Sequence, residues 1–256
     1  MAPLYQTLRR GDPDRFLALM AAPPDARGRL LPLYAFNLEL ARAPWLTAEP
    51  LIAAMRLQWW RDALEEIGAG RPPRAHEAVG PLAGVINAAG LPVALLDAMA
   101  AARQWDIDGE PFADTGALAA HLDATGGNLM WAAALALGAA PEAEPAVRGV
   151  ARAGALAQWL LAVPVLAARG REALPDPAPE AVSGLARAGL GWLASARAAR
   201  NTVPGPAVPA LYPAWQAGAL LAQAARDPAR VEAGGLGLSE FSRRARLLWL
   251  AATGNW

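Results

Sequence analysis

The chain has 256 residues, 55% of them hydrophobic and 18% charged, and its formal net charge is zero. This is enough length and apolar content for a sizeable packed core, and it argues against extended disorder and against a broad basic surface for nucleic acid. There is no cysteine and no lysine, which rules out disulfides, thiolate nucleophiles, Schiff-base chemistry and a phosphate-loop lysine.

The opening residues, MAPLYQTLRRGDPDRF, carry no apolar core of signal-peptide length. The longest apolar stretch, Gly154–Ala168, is interrupted by Gln158 and Pro164 and is too short to span a bilayer. The expectation is a cytoplasmic protein, with peripheral contact at the inner membrane left open. Helical periodicity dominates, and no alternating strand pattern stands out. A helix is expected over Arg29–Ala43, then a second over Ala48–Ile67 with Thr47 as its cap and Pro50 in its first turn. Gly68 and the Arg71-Pro-Pro run close it. Short helices follow over Ala78–Ala88 and Leu91–Arg103, then a polar connection over Trp105–Asp114. Longer helices are expected over Thr115–Leu137 and Pro141–Ala168, a loop over Arg169–Pro179, and helices over Glu180–Asn201, Ala207–Ala225 and Leu238–Ala252. With neither a linker nor a fixed-period repeat, the pattern reads as one all-α domain spanning residues 1–256.

Two adjacent segments are the most specific part of the chain, LLPLYAFNLELARAP and MRLQWWRDALEEIGAG. With LAAHLDATGGNLMWAAALALG and GALAQWLLAVPVLAARGREALP behind them in that order, the chain resembles the squalene/phytoene synthase family. The resemblance covers most of the chain from Asp12 onward and implies an isoprenoid-synthase-like helical bundle around a central cavity. In that family, aspartates four residues apart on two facing helices hold the Mg²⁺ that bridges a prenyl diphosphate as it leaves. Counted from Tyr34, the first pair falls on Ala41 and Trp45, and the arginine before it on Leu38. In the second motif Gln158 is retained, and the next positions are Leu161, Pro164, Val165 and Arg169. Alanine, tryptophan and valine cannot ligate Mg²⁺, and Arg169 repels it. Pro164 inside a helix also removes a backbone hydrogen bond, at a cost of about 3 kcal/mol, and is expected to kink the helix there.

With all four carboxylates replaced, the chain is similar to a non-catalytic branch of the superfamily. That branch includes the mitochondrial assembly factor of respiratory complex I and its alphaproteobacterial relatives. The resemblance implies no catalytic residue, no metal and no cofactor. Its implied partners are a subunit or assembly intermediate of a respiratory complex and an isoprenoid or lipid held in the cavity. Tyr34, Asn37, Arg56, Trp60, Asn128 and Gln158 are the expected cavity residues. Two alternatives stand beside it. One is an active head-to-head prenyltransferase with a relocated Mg²⁺ site recruited from Asp62, Glu65, Glu66, Asp106 and Asp108. The other is an isoprenoid, lipid or quinone carrier.

Plain structural readings compete for several of these residues. Asp62 and Glu66 read as a solvated helix face, Glu39 as an ion-pair partner of Arg42 or Arg56, and Asp106 and Asp108 as turn or capping residues. His76 and His121 lack ligand-spaced partners, so zinc is not expected. His121 is either a core histidine or part of the pocket wall. Trp59, Trp60, Trp131, Trp159, Trp192 and Trp249 are expected in the core, and Trp45 and Trp215 at surface contacts, with Trp45 alternatively filling the space of a diphosphate. The Gly126-Gly127 pair reads as a close helix contact or a local bend. The last segment, FSRRARLLWLAATGNW, reads as a helix packed on the domain or as one docked on a partner or membrane.

Overall fold

A computed structural model describes residues 2–256. It is 76% helical, with no strand among the described residues. Two helices precede the first one expected from the sequence, α1 (Ala2–Gly11) and α2 (Pro13–Ala21). Asp12 caps α2 by accepting a hydrogen bond from the Arg15 amide at 2.9 Å, and Pro13 takes the first helical position, where its missing N–H costs nothing. Helix α3 (Pro24–Arg42) begins five residues before the expected start and runs through Pro32. Every residue from Leu30 to Leu38 is buried, as befits a helix that is apolar on all sides.

A 3₁₀ turn over Ala43–Trp45 leads to α4 (Pro50–Gly68). The expected Thr47 cap is displaced. Thr47 accepts from the Glu49 amide at 3.1 Å in the preceding turn, because Pro50 sets the helix start later. Then come α5 (Val79–Ala89), α6 (Val93–Ala102) and α7 (Trp105–Asp108), a single turn inside the expected connection. The expected Thr115–Leu137 helix is two, α8 (Thr115–Leu122) and α9 (Asn128–Ala136), joined by a π turn over Asp123–Gly127. Helix α10 (Glu144–Ala167) follows, then α11 (Pro179–Ala198). The expected Ala207–Ala225 helix is a 3₁₀ segment, Gly205–Ala214, followed by α12 (Ala217–Arg226). Pro209 and Pro213 within it lack the amides an α-helix needs. The chain closes with α13 (Ala229–Glu232) and α14 (Glu240–Thr253).

Helix α10 packs against α9, α11, α12, the π turn and the 3₁₀ segment. Pro141–Ala167 is long and apolar enough to cross a membrane by length and composition alone. In this fold those apolar residues form the middle of a core that is continuous from Leu4 to Leu250. Helix α10 continues past Pro164, and the Ala168 amide still bonds the Pro164 carbonyl at 3.0 Å. The π turn brings Gly126 so close to α10 that a Cβ there would lie 2.8 Å from that of Ala155. The glycine is therefore a packing requirement, and the π turn is the local bend. Two tryptophans lie opposite to expectation. Trp215 is buried under α14, with Arg243 over its ring at 5.9 Å, whereas Trp249 sits 64% exposed on the outer face of α14.

One aromatic cluster fixes a wall of the cavity. Trp105, Phe112, His121 and Trp159 come from α7, the following loop, α8 and α10, with centroids 4.9–5.8 Å apart. The Trp159 indole donates to the Ala173 carbonyl at 2.8 Å, tying α10 to the loop after it. From that loop Arg171 donates to the Asp106 and Ile107 carbonyls, both at 3.0 Å, and so closes the end of α7. The Arg171 guanidinium passes directly over Gly109, whose φ is +67°. An alanine there suffers both the left-handed backbone and a collision with Arg171. Gly109→Ala is expected to destabilise the protein by about 2–4 kcal/mol, read as a lower urea midpoint with an unchanged slope.

His121 supplies a second prediction. Burial, aided by the nearby Arg103 charge, depresses its pKa from 6.5 to about 4. The folded state therefore holds a neutral imidazole over a range in which the unfolded chain takes up a proton. Its contribution is fully present above about pH 6.5 and is lost as the pH falls towards 4, on the order of 3 kcal/mol in all. His121→Phe is expected to flatten that part of the stability–pH curve, measured by urea unfolding between the two limits.

Candidate functional site

A cavity of about 330 Å³ lies between α3, the π turn, α10 and the 3₁₀ segment. From α3 it receives Tyr34, Asn37 and Ala41, which share a helix face at i, i+3 and i+7. From the second half of α10 come Gln158 and Ala162, and Leu122, Thr125, Gly126 and Leu129 line it from the π turn and its flanks. Asn37 and Gln158 also line an outer groove, together with Arg15 and Arg103, so the cavity opens along that side. Three of the six expected residues, Tyr34, Asn37 and Gln158, therefore share one cavity.

The other three do not reach it. Trp60 packs edge-on against Phe36 at 5.4 Å, and Phe36 lies on the face of α3 opposite Tyr34 and Ala41. Arg56 is exposed in a separate surface groove with Met55, Trp59 and His76. Asn128 sits one residue round the helix from Leu129. Its carbonyl accepts from Arg148 at 3.1 Å, within a network that also holds Asp123 and Glu144. On α9 a one-residue offset turns Asn128 away, whereas α4 contributes no residue to the cavity and lies behind the Phe36 side of α3.

Two charged cavity residues have no counterpart in the sequence reading, Arg15 and Arg103. Arg15 could have been found from Asp12-Pro13, a helix-start signal that places Arg15 in the first turn. Its guanidinium lies 2.8 Å from Asp12 and 5.4 Å from the Tyr34 ring centroid. Burial disfavours the Arg15 charge, but the Asp12 carboxylate more than offsets it. Burial pushes the Tyr34 hydroxyl well above its ordinary pKa, against the pull of Arg15. Arg103 reaches the buried Asp106 carboxylate at 3.3 Å. Burial raises Asp106, opposed by Arg103 and Arg171. Two buried polar atoms of the cavity wall have no partner among the described residues, the Tyr34 hydroxyl and His121 Nε2.

The positions at which the resemblance puts metal ligands can now be tested for fit. Ala41, Trp45 and Arg169 line the cavity, Leu161 lines the outer groove, and Val165 is 56% exposed. The Arg169 guanidinium lies over the Trp45 ring at 4.5 Å, so a cation and an aromatic face meet where two carboxylates would face each other. This donor set does not fit Mg²⁺. The recruits for a relocated site do not converge either. Glu66 is held by a two-point contact with Arg74 at 2.8 and 2.9 Å, Asp62 lies 3.7 Å from the same arginine, and Glu65 lies 3.6 Å from Arg71. Asp108 accepts from Gln104 at 2.9 Å, away from Asp106. Among the described residues no three carboxylate or histidine side chains are grouped to hold a metal ion. Glu39 reaches only Arg42, at 4.0 Å.

The same architecture occurs in solved structures. A dehydrosqualene synthase superposes with a TM-score of 0.81 over 99% of this chain and 95% of its own, at 14% identity. Squalene synthase HpnC from Alicyclobacillus acidocaldarius gives 0.73 over 88% and 92%, at 15% identity. By sequence the chain is similar to "NADH dehydrogenase (ubiquinone) complex I, assembly factor 6". It is 32% identical to the Homo sapiens protein over 74 residues, 29% of this chain and 22% of that one. It is 25% identical to the Mus musculus protein over 171 residues, 66% of this chain and 51% of that one. The chain thus spans no more than about half the length of these relatives. The family model for squalene/phytoene synthase matches residues 8–178, and with the helical fold around the cavity it establishes that the chain belongs to the squalene/phytoene synthase family.

Proposed function

We propose that this protein has given up metal-dependent prenyl transfer and assists the assembly of a respiratory membrane complex, complex I. The observation that carries the first half is the Arg169–Trp45 contact at 4.5 Å in the cavity wall. A multiply charged leaving group needs a hard cation held by oxygen ligands. Ala41, Trp45, Leu161, Val165 and Arg169 supply none, and Asp106 is engaged by Arg103.

The second half is supported by the likeness to complex I assembly factor 6, of which only part is spanned. Two exposed apolar areas are compatible with it, since such areas mark contact surfaces. Leu46, Leu51, Ile52 and Met55 crowd the start of α4, and Phe241, Leu248 and Trp249 stand out from α14. On this reading the protein works in the cytoplasm, at or near the inner-membrane surface on which such a complex is built.

Two measurements test the two halves separately. Purified protein with farnesyl or geranylgeranyl diphosphate and Mg²⁺ is expected to release no diphosphate, and turnover would sink the loss of catalysis. Deleting the gene in its host is expected to lower membrane NADH:quinone oxidoreductase activity several-fold and to leave succinate oxidation unchanged. Unaltered complex I activity and subunit content in the deletion strain would remove the assembly role.

A further inference from the structure

We infer that the cavity binds a phosphate-class anion directly on the guanidinium groups of Arg15, Arg103 and Arg169, with no bridging metal ion. The inference rests on the reading that the metal site is lost, and it assigns the altered cavity a ligand of its own.

Charge is the first argument. The cavity is lined by three guanidinium groups and one carboxylate, Asp106. Arg103 gives Asp106 a single N–H, at 3.3 Å, out of the five that a guanidinium carries. The Arg15 side chain is tied to Asp12 through Nε, at 2.8 Å, and its two terminal nitrogens make no hydrogen bond to a described residue. Arg169 forms no ion pair with a described residue and is positioned only by the Trp45 ring. The Asp12 partner of Arg15 lines the outer groove and not the cavity. Asp12 and Asp106 compensate Arg15 and Arg103, so the charge of Arg169 and the unused N–H donors of all three face a partly enclosed, mostly apolar space, where electrostatic attraction is stronger than in water.

The second argument is independent of charge. The Tyr34 hydroxyl, on a residue 1% exposed, and His121 Nε2, on one 8% exposed, are buried without partners. Unmet polar atoms in a native interior call for an explanation. Tyr34 keeps its proton, since burial raises its pKa, and a protonated phenol near Arg15, in a cavity that Arg103 and Arg169 also line, adds a donor for an oxyanion. The guanidinium fork matches phosphate oxygens two at a time, and its charge does not depend on pH in the working range. Mg²⁺ is unnecessary in such a site and is repelled by Arg169.

The remaining wall is apolar, with Leu122, Leu129, Met130 and Leu166 among its residues. The anion is thus either free phosphate or the head of an amphiphile whose tail lies along those side chains. The two sources share the head-group chemistry and differ in the tail.

The test is isothermal titration of the full chain in EDTA with inorganic phosphate and with octyl phosphate, followed in parallel by tryptophan fluorescence, since Trp45 and Trp159 line the cavity. The expected result is saturable binding in EDTA that added Mg²⁺ does not strengthen. Arg169→Glu should weaken it about tenfold or more, the scale of one charged hydrogen bond and its attraction. Arg169 is exposed, so this variant should fold, which a thermal melt will verify, and Arg169→Lys, which keeps the charge but loses the fork, should bind between the wild type and Arg169→Glu. Tighter binding of octyl phosphate assigns the site to an amphiphile, and equal binding assigns it to the free anion. Absence of saturation by about 10 mM, binding that appears only with Mg²⁺, or wild-type binding by Arg169→Glu would each overturn the inference. None of these outcomes is turnover of a prenyl diphosphate, so this inference and the loss of catalysis fail separately.

Discussion

The rotational register of α3 decides what the rest of the molecule can be. Every residue from Leu30 to Leu38 is buried, so no side chain there can escape to solvent, and each must face a definite neighbour. At 100° per residue, Tyr34, Asn37 and Ala41 share one side and Phe36 takes the other. The first side becomes a cavity wall, and the second receives Trp60 edge-on. Rotating α3 by one residue would present Phe36 or Leu38 to the cavity and push Tyr34 into α4. The small residues where α10 meets its neighbours serve the same tight fit. Gly126 against Ala155, Gly149 against Ala196 and Gly154 against Ala214 leave no room for a methyl group. Elements packed this closely move as a unit, so the cavity inherits the rigidity of the core.

Within that fixed frame the cavity carries more arginines than carboxylates. A metal site of this kind depends on carboxylates, whose charge draws in a divalent cation and is neutralised by it. Here the positions are neutral, aromatic or cationic. The one carboxylate in the cavity, Asp106, is paired with Arg103 and raised in pKa by its burial. Arg169 is kept at the mouth by the face of Trp45, an attraction worth about 0.5–1 kcal/mol when exposed and more when desolvated. Trp45 and Arg169 are each other's partner in the cavity wall. A cation displaced from Trp45 would have only solvent around it, and Trp45 without Arg169 would expose its ring to the opening.

Legibility followed the range of the interactions. The helices around Tyr34, Trp60 and Gln158 were readable because apolar periodicity and proline or glycine punctuation are local signals. The boundaries of α5, α10 and α14 fell within a few residues of expectation for the same reason. Helices α1 and α2 were missed because α1 carries polar residues and α2 is short. The cap that announces α2, Asp12 before Pro13, is itself a local signal. The π turn over Asp123–Gly127 and the 3₁₀ segment over Gly205–Ala214 depend on tertiary fit and on proline spacing, which a period of 3.6 does not register. In the cavity, Tyr34, Asn37 and Gln158 were legible because they share a face or a motif. Asn128 lies outside because helix phase alone cannot say which side of a buried helix faces the void, and Arg56 and Trp60 because their helix packs behind α3 and away from the cavity. Arg15 and Arg103 reach the cavity from elements far apart in sequence, a juxtaposition that only the folded chain creates.

The two apolar areas and the cavity differ in physical kind, and this bears on how one molecule could use them. The α4 and α14 areas are exposed, and the large side chains that stand out from them are apolar. They suit contact over area, where affinity comes from water released. The cavity is concave, small and charged, and suits one compact group whose desolvation is offset by several directed hydrogen bonds. Helix α4 lies between these regimes. Trp60 on its inner side packs on Phe36, directly behind the face that bears Tyr34, while Leu51, Ile52 and Met55 on its outer side stand in solvent. A partner pressing on the outer side of α4 would act on α3 through a single aromatic contact. The exposed apolar residues of α4 and the cavity thus lie on opposite sides of the same two helices.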